Sequence, residues 1–135
     1  MRLGLAISSL ALVLGACATQ APERALDGYK KTVALRVLET TLGVYCEPQS
    51  EMLKSVVVLD ITVDREGNLV DAWVYRSNGF EDLDSRALES VVRAAPFAAP
   101  APELVSGRAS LTFLETFLFR DDECFHIRSL VEAAA

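Results

Sequence analysis

The chain has 135 residues, 51% of them hydrophobic, with 13 basic side chains against 19 acidic ones and a net charge of −6. That length holds one domain with a modest core. The acidic balance excludes a nucleic-acid binder, which needs a basic footprint, and a polybasic grip on anionic lipid.

Met1-Arg2 supplies positive charge, Leu3 to Leu14 is almost wholly apolar, and Gly15-Ala16 sets two small residues before Cys17. This is the anatomy of a secretory signal peptide. Residues 1–16 are therefore read as a removable signal, 17–24 as a tether and 25–135 as the folded domain. Leu14-Gly15-Ala16-Cys17 resembles the lipobox of bacterial lipoproteins, in which the cysteine becomes the lipidated first residue. That resemblance implies a diacylglyceryl thioether and an amide-linked acyl chain on Cys17, such as palmitate, and two or more chains anchor stably. In such lipoproteins an Asp after the cysteine often marks inner-membrane retention, so Ala18 implies the outer membrane. The alternative is an uncleaved inner-membrane signal anchor. Leu3 to Leu14 falls short of the ~20 residues that span a bilayer, and extension to Ala21 gives a marginal span.

With lipid on Cys17, Cys46 and Cys124 remain as an even pair. An exported chain meets an oxidising compartment, where a disulfide is the default. Two free thiols are an alternative, as is a metal site on Cys124 and His126. Two cysteines and the single histidine, with no C-x-x-C pair, make an incomplete ligand set.

Ala18 to Glu23 reads as a polar tether, with Pro22 suited to the first turn of a following helix. Leu26, Tyr29, Val33, Val37 and Leu38 recur at helical spacing between Arg24 and Leu42. Val56 to Asp64 alternates as a strand, with Val57, Leu59, Ile61 and Val63 inward. Arg65-Glu66-Gly67-Asn68 is a turn into a partner strand, Leu69 to Arg76. Val70, Ala72 and Val74 share one of its faces, and Leu69, Trp73 and Tyr75 the other. The two aromatics are expected to pack under the first helix; an aromatic binding platform is the alternative. Asp82 is a plausible N-cap for a helix from Leu83 to Ala95. Pro96, Pro100 and Pro102 then carry an extended loop. The last strand runs from about Ala109 to Phe119. Leu111, Phe113, Phe117 and Phe119 line one face, interrupted by Glu115. Thr112, Leu114, Thr116 and Leu118 line the other.

No catalytic constellation stands out. His126 is alone, Asp60, Asp64 and Asp84 read as solvent-face, turn and helix-start residues, and no glycine-rich phosphate loop is present. The sequence is therefore read as non-enzymatic, with no cofactor.

Val57-x-Leu59-x-Ile61 followed by Asp64-x-x-Gly67-x-Leu69-Val70 resembles the first hairpin of the TonB and TolA C-terminal domains. Arg76-Ser77-Asn78-Gly79 stands where that family usually has Ser-Ser-Gly. Leu83-Asp84-x-x-Ala87-Leu88 resembles its helix motif, Ala94-Ala95-Pro96-Phe97 the segment after it, and Phe117-x-Phe119 the end of its last strand. Asn78 replaces the second serine, and Tyr45-Cys46-Glu47-Pro48 stands in place of the usual Tyr-Pro. The long spacer of those proteins has no counterpart: Ala18 to Arg24 extends at most ~25 Å. The resemblance thus implies a docking module without a transmission rod.

The resemblance and a right-handed crossover together imply an α+β fold. It has a three-stranded antiparallel sheet of order 2-1-3 and helix-β-β-α-β topology. The last strand would then be an edge, and Thr112, Leu114, Thr116 and Leu118 are the candidate protein-binding residues, receiving a strand from an envelope or outer-membrane protein. Coverage of that edge by Asp121 to Ala135 is the alternative. The same topology brings Cys46 and Cys124 to one end of the sheet. Closing that loop of about 78 residues would contribute up to ~4 kcal/mol on chain-entropy grounds. A structural lipoprotein that supports an envelope assembly through its helical face is the second functional reading.

Overall fold

Strict alternation sets the central strand. In the computed structural model, which describes residues 20–41, 52–121 and 124–132, strand β1 spans Ser55–Asp64. Val57, Leu59, Ile61 and Val63 are all fully buried. Successive side chains point to opposite faces, so four apolar residues at period two load one face. β1 pairs antiparallel with β2 (Leu69–Arg76) on one side and with β3 (Ser110–Phe119) on the other.

The sheet does not end at β3. A three-residue strand, β4 (Phe125–Ile127), pairs antiparallel with Phe117–Phe119, and the order is β2-β1-β3-β4. The expected three-stranded sheet of order 2-1-3 is corrected to four strands. The cause is apolar. Phe125 sets its ring 5.3 Å from Phe117 and 5.2 Å from Phe119, and all three are buried. Such pairs add to the area they bury. The helix-β-β-α-β topology is corrected too, because two short helices join it. Helix α3 (Pro102–Val105) lies where an extended loop was expected, with its proline in the first turn, a favoured position. Helix α4 (Arg128–Glu132) follows β4 directly.

Two longer helices cover the core face. Helix α1 spans Gln20–Thr40 and buries Tyr29, Val33, Ala34 and Val37; helix α2 spans Glu81–Ala94 and buries Leu83, Ala87, Val91 and Ala94. These spacings of three and four residues form one helical stripe each. α1 begins four residues before the expected start, and Gln20–Glu23 are helical. The Arg36 Nε–H donates to the Ala94 carbonyl at 3.2 Å and joins the two helices. Tyr29 meets Phe113 edge-on at 5.8 Å and donates its hydroxyl to the Ala98 carbonyl at 2.9 Å. Burial, assisted by the Asp64 charge, pushes the Tyr29 phenol up to about 12.

The start of α2 differs from expectation. Phe80 is the N-cap and makes no side-chain cap bond, so Asp82 is not the cap. Glu81, Asp82 and Asp84 instead fill the first turn, where negative charge complements the helix dipole. Asp84 Oδ2 accepts from the Ser77 hydroxyl at 3.0 Å, and Ser77 Oγ accepts the Gly79 N–H at 3.1 Å. Asn78 Oδ1 accepts the Val56 N–H at 2.7 Å, binding this turn to β1.

The β1–β2 turn is built by Asp64, whose carboxylate accepts the N–H groups of Glu66 and Asn68 and the Asn68 side-chain amide. The Asn68 side-chain bond leads in holding that carboxyl below its ordinary value. Gly67 sits at φ +91°, and a Cβ there would collide with the Phe97 carbonyl oxygen. Only glycine allows this turn and this approach together.

Candidate functional site: the free edge and open face of the sheet

Only part of the candidate edge of β3 is covered. Leu118 pairs with His126 of β4. The Thr116 N–H donates to Glu115 Oε1 at 3.0 Å, and Glu115 Oε2 accepts from the Ser129 hydroxyl of α4 at 2.6 Å. Thr112 shares a hydrogen bond of 2.8 Å with Thr62 across the open face, and Leu114 is exposed beside it. Thr112, Leu114, Thr116 and Leu118 therefore sit together on one face of β3, but the C-terminal segment takes the lateral position beside Phe117–Phe119 and leaves Thr112 and Leu114 with no strand beside them among the described residues. The alternative of a covering tail describes this part of the structure.

Glu115 explains how the tail is held. It faces the core at 2% exposure. Burial raises its carboxyl above the ordinary value, against the hydrogen bonds from Ser129 and Thr116 and the Lys30 charge. In the sequence it was visible only as a break in the apolar face of β3.

The edge that no strand covers at any point lies at the other side, on β2. The Val56 N–H goes to Asn78, and the Asp64 N–H goes to the Asn68 carbonyl. Even-numbered residues of β1 thus turn their backbone groups toward β2. Asp60 pairs with Trp73 and Thr62 with Asp71. Opposite residues in an antiparallel ladder alternate between bonded and non-bonded pairs. Trp73 and Asp71 therefore face β1, while Ala72 and Val74 turn their N–H and C=O groups outward. No strand among the described residues meets them.

The side chains of β2 divide differently from the expected pattern. Ala72 and Val74 pack against the core. A register shift between Thr62 and Val63 sets Leu69 opposite Val63 and leaves Val70 60% exposed. A second shift between Val58 and Leu59 leaves Tyr75 without a partner residue. Trp73 and Tyr75 do not pack under α1. They are 48% and 51% exposed, with ring centroids 6.0 Å apart, on the face opposite the helices. Half-polar aromatics placed this way, beside an unpaired edge, are suited to contact with a partner chain.

Of the three cysteines, Cys17 and Cys46 lie outside the described residues. Cys124 is disulfide-bonded, which removes it as a thiolate ligand. His126 is buried, its Nδ1 has no hydrogen-bond partner, and burial lowers its pKa. Among the described residues no three histidine, cysteine or carboxylate side chains converge on a metal-sized site. Asp60 lies on the open face, Asp64 in the hairpin turn and Asp84 in the first turn of α2.

No protein family, curated protein or solved structure matches the chain. No helix of the described residues is long and apolar enough to cross a membrane.

Proposed function

We propose that this chain is a lipid-anchored binding module of the bacterial envelope, which takes an extended segment of another envelope protein onto the free edge of β2. The observation that carries the reading is the outward-turned backbone of Ala72 and Val74, flanked by exposed Val70, Trp73 and Tyr75. Main-chain hydrogen bonds supply affinity in strand addition, and pockets or rings beside the edge supply selectivity. The lipobox-like Cys17 supports an outer-membrane anchor facing the periplasm. The hairpin, turn and helix motifs that resemble the TonB and TolA C-terminal domains support docking as the role, without periplasm-spanning transduction. The acidic chain argues against nucleic acid.

The test is photocrosslinking in cells from a reactive residue placed at Val70, with Val92 and Leu35 as exposed controls on the helical layer. The expected result is a crosslink to one envelope protein from position 70. It disappears when Ala72→Pro removes the outward donor, a change that edge strands tolerate. Crosslinks from Val92 and Leu35 that survive Ala72→Pro would overturn the reading and favour a scaffold acting through the helices.

A further inference from the structure

We infer that the segment received by β2 is basic, with a lysine or arginine whose side chain lies over Trp73 between Asp60 and Asp71. The inference rests on the strand-addition reading and adds the chemistry of the partner. A strand laid beside β2 sends alternate side chains to the open face. These lie about 4.5–5.5 Å from the β2 residues directly opposite, and the diagonal neighbours remain within reach of long side chains.

What they meet there is specific. Trp73 is cross-strand from Asp60, and Asp71 lies two residues along β2 on the same face. Trp73 and Asp71 are exposed and Asp60 is half-buried. Neither aspartate forms an ion pair with a described residue. The one basic residue of β2, Arg76, lies at the far end of the strand, cross-strand from Val58. An indole face flanked by two unpaired carboxylates is a cation site for a long side chain. The ring quadrupole attracts the charge, and the carboxylates add Coulomb energy and hydrogen-bond acceptors. An acidic segment at this position would set like charges opposite one another, which is destabilising. The net charge of −6 steers basic segments toward the whole molecule at low salt.

The experiment is an NMR titration of the full-length chain with three blocked octapeptides in which valine alternates with lysine, threonine or glutamate. The lysine peptide is expected to shift the amides of Ala72 and Val74 and the indole N–H of Trp73. It should bind about tenfold more tightly than the threonine peptide, the difference shrinking with salt. Asp60→Asn together with Asp71→Asn should make the lysine and threonine peptides equal. Equal binding of the lysine and threonine peptides to the unmodified chain would overturn the basic-partner inference and leave strand addition standing. If no peptide perturbs the β2 amides at millimolar concentration, strand addition itself fails. Protection of those amides on raising the protein concentration alone would assign the edge to a second copy of the chain and overturn the proposal.

Discussion

Ser129 in the short helix α4 donates a 2.6 Å hydrogen bond to the carboxylate of Glu115 in the middle of β3. The other carboxylate oxygen accepts the Thr116 N–H at 3.0 Å. One buried acid thus fastens the C-terminal segment to the sheet and occupies the outward donor of Thr116.

Glu115 makes stability depend on pH. Its folded pKa is raised above the ordinary value of 4.5, chiefly by burial. The folded protein therefore holds that proton more tightly than the unfolded chain does. The contribution is fully present below pH 4.5 and is lost as pH rises through the raised value. Glu115→Gln should flatten this fall. Urea titrations between acid and neutral pH check it, and parallel curves for the two proteins would refute burial as the cause. His126, also buried, acts in the opposite sense, losing stability as pH falls, and cancels in the comparison.

Phe125→Ala should cost ~3–5 kcal/mol, the usual range for emptying an aromatic site in a core. Phe125 is 1% exposed and touches both Phe117 and Phe119. Chemical denaturation measures the loss. A cost under 1 kcal/mol would show that β4 is a loose appendage rather than part of the core.

Gly67→Ala and Gly79→Ala separate backbone conformation from packing. Both glycines sit at φ +91°, but only at Gly67 would a Cβ strike the Phe97 carbonyl, while at Gly79 nothing lies within 4 Å. Gly79→Ala should cost ~1–2 kcal/mol for the left-handed conformation alone. Gly67→Ala should cost clearly more, because the 97–98 backbone must move. Equal losses in thermal unfolding would contradict the close approach.

The cysteines give a chemical prediction. Peptide mapping under non-reducing conditions should join Cys124 to Cys46, and fatty-acid label should enter the chain only through Cys17. Cys17→Ser should abolish the label and leave the Cys46–Cys124 bridge intact. A Cys17–Cys124 bridge would refute both the pairing and the anchor.

The hairpin was legible because its residues obey a single period. Val57, Leu59, Ile61 and Val63 alternate without interruption, and Gly67 marks the turn. The helical stripes were legible on the same grounds. Phe125–Ile127 was not, because three residues carry too little period to separate a strand from a loop. Ala72 and Val74 share the core face as their alternation indicated, but the exchange of Leu69 and Val70 was not legible, because a register shift is invisible in the side-chain pattern. The order 2-1-3 already made β2 an edge; β3 stood out as the candidate because the strand that pairs with its end, Phe125–Ile127, was not legible. Glu115 was noticed as an exception to the pattern, but its partner Ser129 lies in a segment with no periodic signal of its own.

Tyr29 reaches the carbonyl of Ala98, 69 residues later in the chain. β1 likewise finds β3 across α2 and the proline segment. A polypeptide that emerges amino end first cannot complete any of these contacts early. Val33 and Val37 wait for the middle of the chain, and Phe117 and Phe119 wait for Phe125. Non-local pairings of this kind fold slowly and leave apolar surface open to neighbouring chains meanwhile. The interval between the emergence of Val57 and that of Ile127 is therefore the period in which the apolar face of the sheet stays open longest.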